Sequence, residues 1–178
     1  ALDHPAVVFV VAGRWEVSDS KSTTGAGWQN ITEPAYAAYV RAQLERVVAI
    51  GGAAGARVAI ATAPCFSSGE QPDGAPWPED DPARLATYNG LVAQVADAHP
   101  GHVSEVPIGD VVCPGGHFRT QVDGVTVRTP DGIHYPYYSF ADPDSPDPDT
   151  VAQVTSFGAW IAPRIMPALL GPGVAPSG

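Results

Sequence analysis

Asp131 and His134 stand three residues apart in the stretch RTPDGIHYPYY, inside a Pro/Gly turn. Residues i and i+3 of a turn project to one side, so the carboxylate can accept from one imidazole nitrogen. The other nitrogen is then left as a base, and the acid stabilises the imidazolium that forms when it takes a proton. Such a pair is two-thirds of a Ser-His-Asp site. Its spacing recurs by chance in so aspartate-rich a chain, so placement in the fold decides its meaning.

The elements that must position the pair follow from hydrophobic periodicity. PAVVFVVAG (5–13) is a continuous apolar, β-branched run, the pattern of a strand buried on both faces. Residues 34–50 change to a period of 3.6, with Ala37, Val40, Leu44, Val47 and Val48 on one stripe and Pro34 at the start. RVAIATAP (57–64) is a second strand. Pro82 to Ala98 is a second helix, striped by Leu85, Tyr88, Leu91, Val92 and Val95, and HVSEVPI (102–108) is a third strand. This alternation predicts βαβ units on a parallel sheet.

FRTQVDGVTVRT reads as a hairpin turning at Asp123-Gly124. Asp131 and His134 follow it. A Pro/Asp-rich loop comes next, then a last helix from near Thr150, with Val151, Val154, Gly158, Ile161 and Ile165 on one face. Pro163 and Pro167 should kink or end it. The expectation is one domain over residues 1–170, with a frayed tail at 171–178.

Parallel strands end on one rim, where catalytic groups of open α/β sheets gather. Gly13, Arg14 and Trp15 end the first strand there, and Arg14 could serve an oxyanion or a substrate carboxylate, or simply pair with Glu16 or Asp110. The first strand also reads as an interior strand with nothing upstream to pair beside it. Either the chain associates through that edge, or, as we expect, residues preceding Ala1 complete the sheet.

Composition narrows the function classes. The 178 residues carry a net charge of −10, Lys21 is the only lysine, and no basic cluster exists. Nucleic acid and anionic membrane surfaces are thus disfavoured as partners. Cys65 and Cys113 allow one disulfide, which would imply an oxidising compartment; two buried thiols are the alternative. His99 and His102 mimic a metal pair without a third ligand, so no metal and no cofactor is expected. His117 could line the cleft, and Trp28, Trp77 and Tyr135 are loop aromatics able to stack on sugars or to pack. Ser20 in SDS follows the first strand but sits in a polar connector.

VVFVVAGRWEV, RVAIATAPCF, EQPDGAPWPEDDPARLATYN, DVVCPGGHF, VDGVTVRTPDGIH and WIAPRI, in this order over residues 5–166, resemble the SGNH (GDSL-type) hydrolase-like domains fused to acyltransferase-family-3 membrane proteins of actinobacteria. The resemblance implies a flavodoxin-like three-layer α/β/α fold with five parallel strands, of which this chain supplies the third to fifth. It makes Asp131 and His134 the acid and base, and puts a Gly-Asp-Ser nucleophile upstream of Ala1. The family's Gly-x-Asn-Asp block corresponds to GRWE, with Trp15 in place of the oxyanion-donating Asn. The implied function is O-acyl transfer or ester hydrolysis on a cell-envelope glycan or glycolipid outside the cytoplasm. Its partners are an acyl donor, a glycan or glycolipid acceptor and a membrane acyltransferase domain. A non-catalytic binding module on the same scaffold is the competing expectation.

Overall fold

The computed structural model describes residues 5–21, 27–137 and 147–171. In chain order its elements are β1 (Val7–Val10), α1 (Arg14–Val17), β2 (Ser20–Lys21), β3 (Trp28–Gln29), α2 (Pro34–Gly52), β4 (Arg57–Ala61), α3 (Pro82–Ala98), β5 (Val103–Val106), α4 (Ile108–Val112), β6 (Gln121–Val122), β7 (Val125–Thr126) and α5 (Pro148–Leu170).

The chain is mixed α/β around a parallel sheet of order β1-β4-β5. Val7 pairs with Arg57 and Val58 with Val103, and both ladders are parallel. β4 is central, and its alternation divides the core. Val58 and Ile60 join a cluster with Val40 and Leu44 of α2 and Tyr88, Val92 and Val95 of α3. Ala59 and Ala61 join another with Val106, Trp160 and Ile161. Small residues on that second face let the bulkier Trp160 of α5 approach the sheet. Helices therefore cover both faces. The two crossover helices share one face, as a single crossover hand requires when strands are added in one direction.

β1 is an edge strand among the described residues, with only β4 beside it. Phe9 and Val11 at this edge are 38% and 59% exposed, so the apolar strand lies open on the side where the sequence offers it no partner.

Several elements differ from expectation. Strand β5 stops at Val106, because Pro107 turns the chain into α4 and Gly109 packs there against the end of β4, where a Cβ would lie 2.7 Å from the Ala63 carbonyl. The two prolines do not end α5. Burial of Trp160 and Ile161 holds it, and the Arg57 guanidinium donates to the Leu170 carbonyl at its far end. The stripe of α5 runs through Phe157, Trp160 and Ile161, while Gly158 faces out. The hairpin is as expected: Asp123 and Gly124 take φ of 51° and 77°, the two left-handed positions of a type I′ turn.

Cys65 and Cys113 form a disulfide that ties the segment after β4 to the end of α4. A disulfide points to an oxidising environment. Among the described residues, no helix is long and apolar enough to cross a membrane. The expected tail lies outside the described residues beyond Gly171, as does most of the Pro/Asp-rich loop.

Candidate active site

The Asp131–His134 pair forms. His134 Nδ1 lies 2.7 Å from Asp131 Oδ2. Asp131 Oδ1 accepts from the Ile133 and His134 backbone N–H groups at 2.8 and 3.0 Å, and from the Thr129 hydroxyl at 2.7 Å. Aspartate suits this turn because its short carboxylate can take the backbone donors of the next residues. Gly132 permits the turn's tight approach: its φ is 71°, and any Cβ would run into the Ser67 carbonyl. Its own carbonyl accepts from Ser67 N at 3.2 Å, locking the turn to the loop after β4. Gly132→Ala should therefore disturb the pair and cost several kcal/mol, about 2 or more from strain and overpacking; thermal unfolding with and without the substitution measures it.

Partial desolvation pushes the Asp131 carboxyl up, but its hydrogen bonds from His134, Ile133 N–H and Thr129 outweigh that and hold it far below the carboxylate range. A depressed folded-state pKa gives stability that is present above the unfolded value, near 3.9, and lost as pH falls toward the folded one. The ¹³C carboxyl resonance of Asp131 should thus stay that of a carboxylate at a pH where the exposed acids have protonated. Protonation at an ordinary carboxylate pH would show the bonds absent.

With Nδ1 engaged, Nε2 is the nitrogen left to take a proton, and it makes no hydrogen bond among the described residues. His134 borders a cavity of about 290 Å³ with Gly13, Arg14, Trp15, Thr62, Phe66 and Ile133. The strand-end residues and the acid–base pair are therefore brought to one place.

Their detailed roles differ from the simplest expectation. Gly13 opens the single-turn helix α1, an element too short to show a period, and its N–H donates to Glu16 at 2.7 Å. That N–H is occupied. Gly13 itself is required, since φ is 130° and a Cβ would collide with Ala63. Arg14 pairs with neither Glu16 nor Asp110; its Nη2 donates to Glu79, 3.2 Å away and 5% exposed. A guanidinium has five N–H donors, so one pairing leaves others for a ligand. Trp15 is 70% exposed, with Arg14 over its ring at 4.9 Å.

Among the described residues, no serine or cysteine lines this cavity. Its Thr62 hydroxyl is buried and accepts from Gly109 N at 2.8 Å. Ser20 belongs to β2 and lines a different cavity, against Tyr36 and Tyr39 of α2. Tyr135 is engaged in packing, with Arg128 over one face at 4.3 Å and Phe157 stacked at 5.4 Å. His117 is exposed and away from the cavity, and Trp28 lies beneath Lys21. His99 meets Glu45 at 2.6 Å, and among the described residues no group of three His, Cys, Asp or Glu converges. No protein-family model matches the sequence, and no curated protein matches it.

Proposed function

We propose that this chain carries the acid–base half of a Ser-His-Asp site for O-acyl transfer or ester hydrolysis, in an SGNH-type, flavodoxin-like domain. The observation that supports it most is the 2.7 Å Asp131–His134 contact, with Nε2 left open at a cavity on the strand-end rim. In this reading a serine hydroxyl attacks an acyl carbonyl and gives its proton to His134 Nε2. Asp131 stabilises the resulting imidazolium without taking the proton. The imidazolium then protonates the leaving alkoxide, and an acyl-serine remains. A glycan hydroxyl, or water, loses its proton to Nε2 and releases the serine.

The serine belongs to polypeptide preceding Ala1, in a strand beside β1. Such a strand would cover Phe9 and Val11 and, being parallel, would deliver its carboxyl end to the rim at Gly13. β1, β4 and β5 are then the third to fifth strands of five. Arg14 supplies oxyanion donors beyond the one held by Glu79. The acyl groups come from a membrane acyltransferase domain and pass to an envelope glycan or glycolipid outside the cytoplasm, in keeping with the disulfide.

A second reading is favoured by two specific observations, the lack of a serine or cysteine among the described residues of the cavity and the occupied Gly13 N–H: a non-catalytic module that binds glycan or protein. One experiment separates them. The polypeptide extended upstream is given p-nitrophenyl acetate with and without an oligosaccharide acceptor. Nitrophenol release with acetylated glycan means transfer, release with free acetate alone means hydrolysis, and no release above buffer favours the binding module.

A further inference from the structure

We infer that the groove between Trp15 and Trp77 binds an uncharged carbohydrate, with pyranose rings laid on the two indoles and one end leading to His134. The inference deepens the acyl-transfer reading and rests on it only for what happens at His134.

The groove, about 510 Å³, adjoins the smaller His134 cavity, and Arg14, Trp15 and Ile133 border both. Its two tryptophan-bearing walls come from separate segments, α1 and the loop before α3, and Ile133 adds a third side. Each brings one tryptophan to the surface, Trp15 at 70% and Trp77 at 38% exposure. The main chain beneath each indole is tied down. Trp15 stands on a helical turn closed by Glu16, under the Arg14 guanidinium. Trp77 ends a loop pinned by Gln71 N to the Ala75 carbonyl at 2.7 Å and Gln71 Nε2 to the Pro76 carbonyl at 2.8 Å. Asp80 N donates back to the Trp77 carbonyl at 2.9 Å, and the Asp80 carboxylate accepts from Ser68 N. An indole has only two side-chain torsions, so on a backbone tied down in this way it loses little entropy when a ligand stacks on it.

Charge selects among ligands. The three charged side chains that line the groove are all paired: Arg14 with the buried Glu79, and Asp19 with Arg84, which stands outside the lining, at 2.7 Å. Among the described residues, the groove has no cation whose charge is left uncompensated to match a phosphate or carboxylate, and the chain's net charge of −10 opposes anions further. What remains is two apolar faces fringed by the Ser18 and Ser68 hydroxyls and the Gln71 amide. A sugar ring fits that chemistry, with a C–H face for the indole and a rim of hydroxyls for the fringe.

The test uses residues 1–178 with ¹⁵N-labelled indoles. Maltotetraose, cellotetraose and chitotetraose are each titrated to millimolar concentration. The Trp15 and Trp77 indole N–H signals should shift with at least one of them. Those of Trp28, under Lys21, and Trp160, bonded to Asp123, should stay. Trp77→Ala should weaken the Trp15 response about tenfold or more, equivalent to 1.4 kcal/mol. Three results would overturn the inference: no shift at Trp15 and Trp77 with any of the three sugars, equal shifts at all four indoles, or shifts produced by a polyproline peptide and by no sugar. His134→Ala keeps the two readings apart. Sugar shifts without ester turnover in the extended polypeptide sink the acyl-transfer reading and leave the groove standing; turnover without sugar shifts does the reverse.

Discussion

His134→Ala, in the polypeptide extended to include its nucleophile, is expected to lower kcat/KM for a chromogenic acyl ester by at least about 10⁴-fold. The loss is large because, among the described residues, no other group at the cavity is placed to take the serine proton. Thr62 is committed to Gly109, and Glu79 is buried against Arg14. Asp131→Asn should cost about 10⁴-fold as well, because an amide in that position no longer stabilises the imidazolium or fixes its tautomer. Neither change should unfold the protein to a comparable degree, as the His134 side chain is 53% exposed. Ester turnover within a few-fold of the parent in His134→Ala, measured on protein with an unchanged unfolding midpoint, would remove His134 from the chemistry.

The second large effect concerns stability. The Cys65–Cys113 bridge closes a loop of 48 residues in sequence separation, and removing it should cost about 4 kcal/mol through the entropy regained by the unfolded chain. A domain of this size is stable by only about 5–15 kcal/mol, so the urea midpoint should fall steeply. The double substitution Cys65→Ala/Cys113→Ala and reduction of the parent protein should give the same midpoint, and reductant should not shift the double variant. The site should feel the loss too. Cys65 N lies 3.1 Å from Cys113 Sγ, and the chain continues from there through Phe66, which lines the His134 cavity, to Ser67, which holds Gly132. An unchanged midpoint after reduction would show that the bridge constrains little.

The elements that sequence periodicity made legible are those whose burial is one-sided or complete. Helix α3 begins and ends where Pro82 and Ala98 suggest, because Asp81 caps it by accepting from Ala83 N and the turn at His99 stops it. β4 shows every expected residue inside. α5 was less legible. Its face turns on Trp160, whose indole reaches Asp123 of the hairpin, a long-range contact no local pattern announces.

The acid–base pair was readable because both members lie in one turn and their bond is local. The other wall of the site was not. PWPEDD offers three consecutive acids of equal local standing, and the fold gives each a separate task. Glu79 goes inside to Arg14, Asp80 accepts from Ser68 N, and Asp81 caps α3. Only the Pro78 turn's position against α1 decides which acid is buried. Helix α1 was missed for a similar reason. Four residues are too few for a period, and the sole signal is Glu16 three residues after Gly13, where it can reach back to the Gly13 N–H.

The most direct measurement is covalent labelling of the extended polypeptide with a fluorophosphonate, followed by peptide mapping. An acyl-transfer site built on His134 requires one serine, N-terminal to Ala1, to be labelled, and His134→Ala to abolish that labelling while the protein remains folded. Labelling of a serine within residues 1–178, no labelling at all, or labelling indifferent to His134 would contradict it.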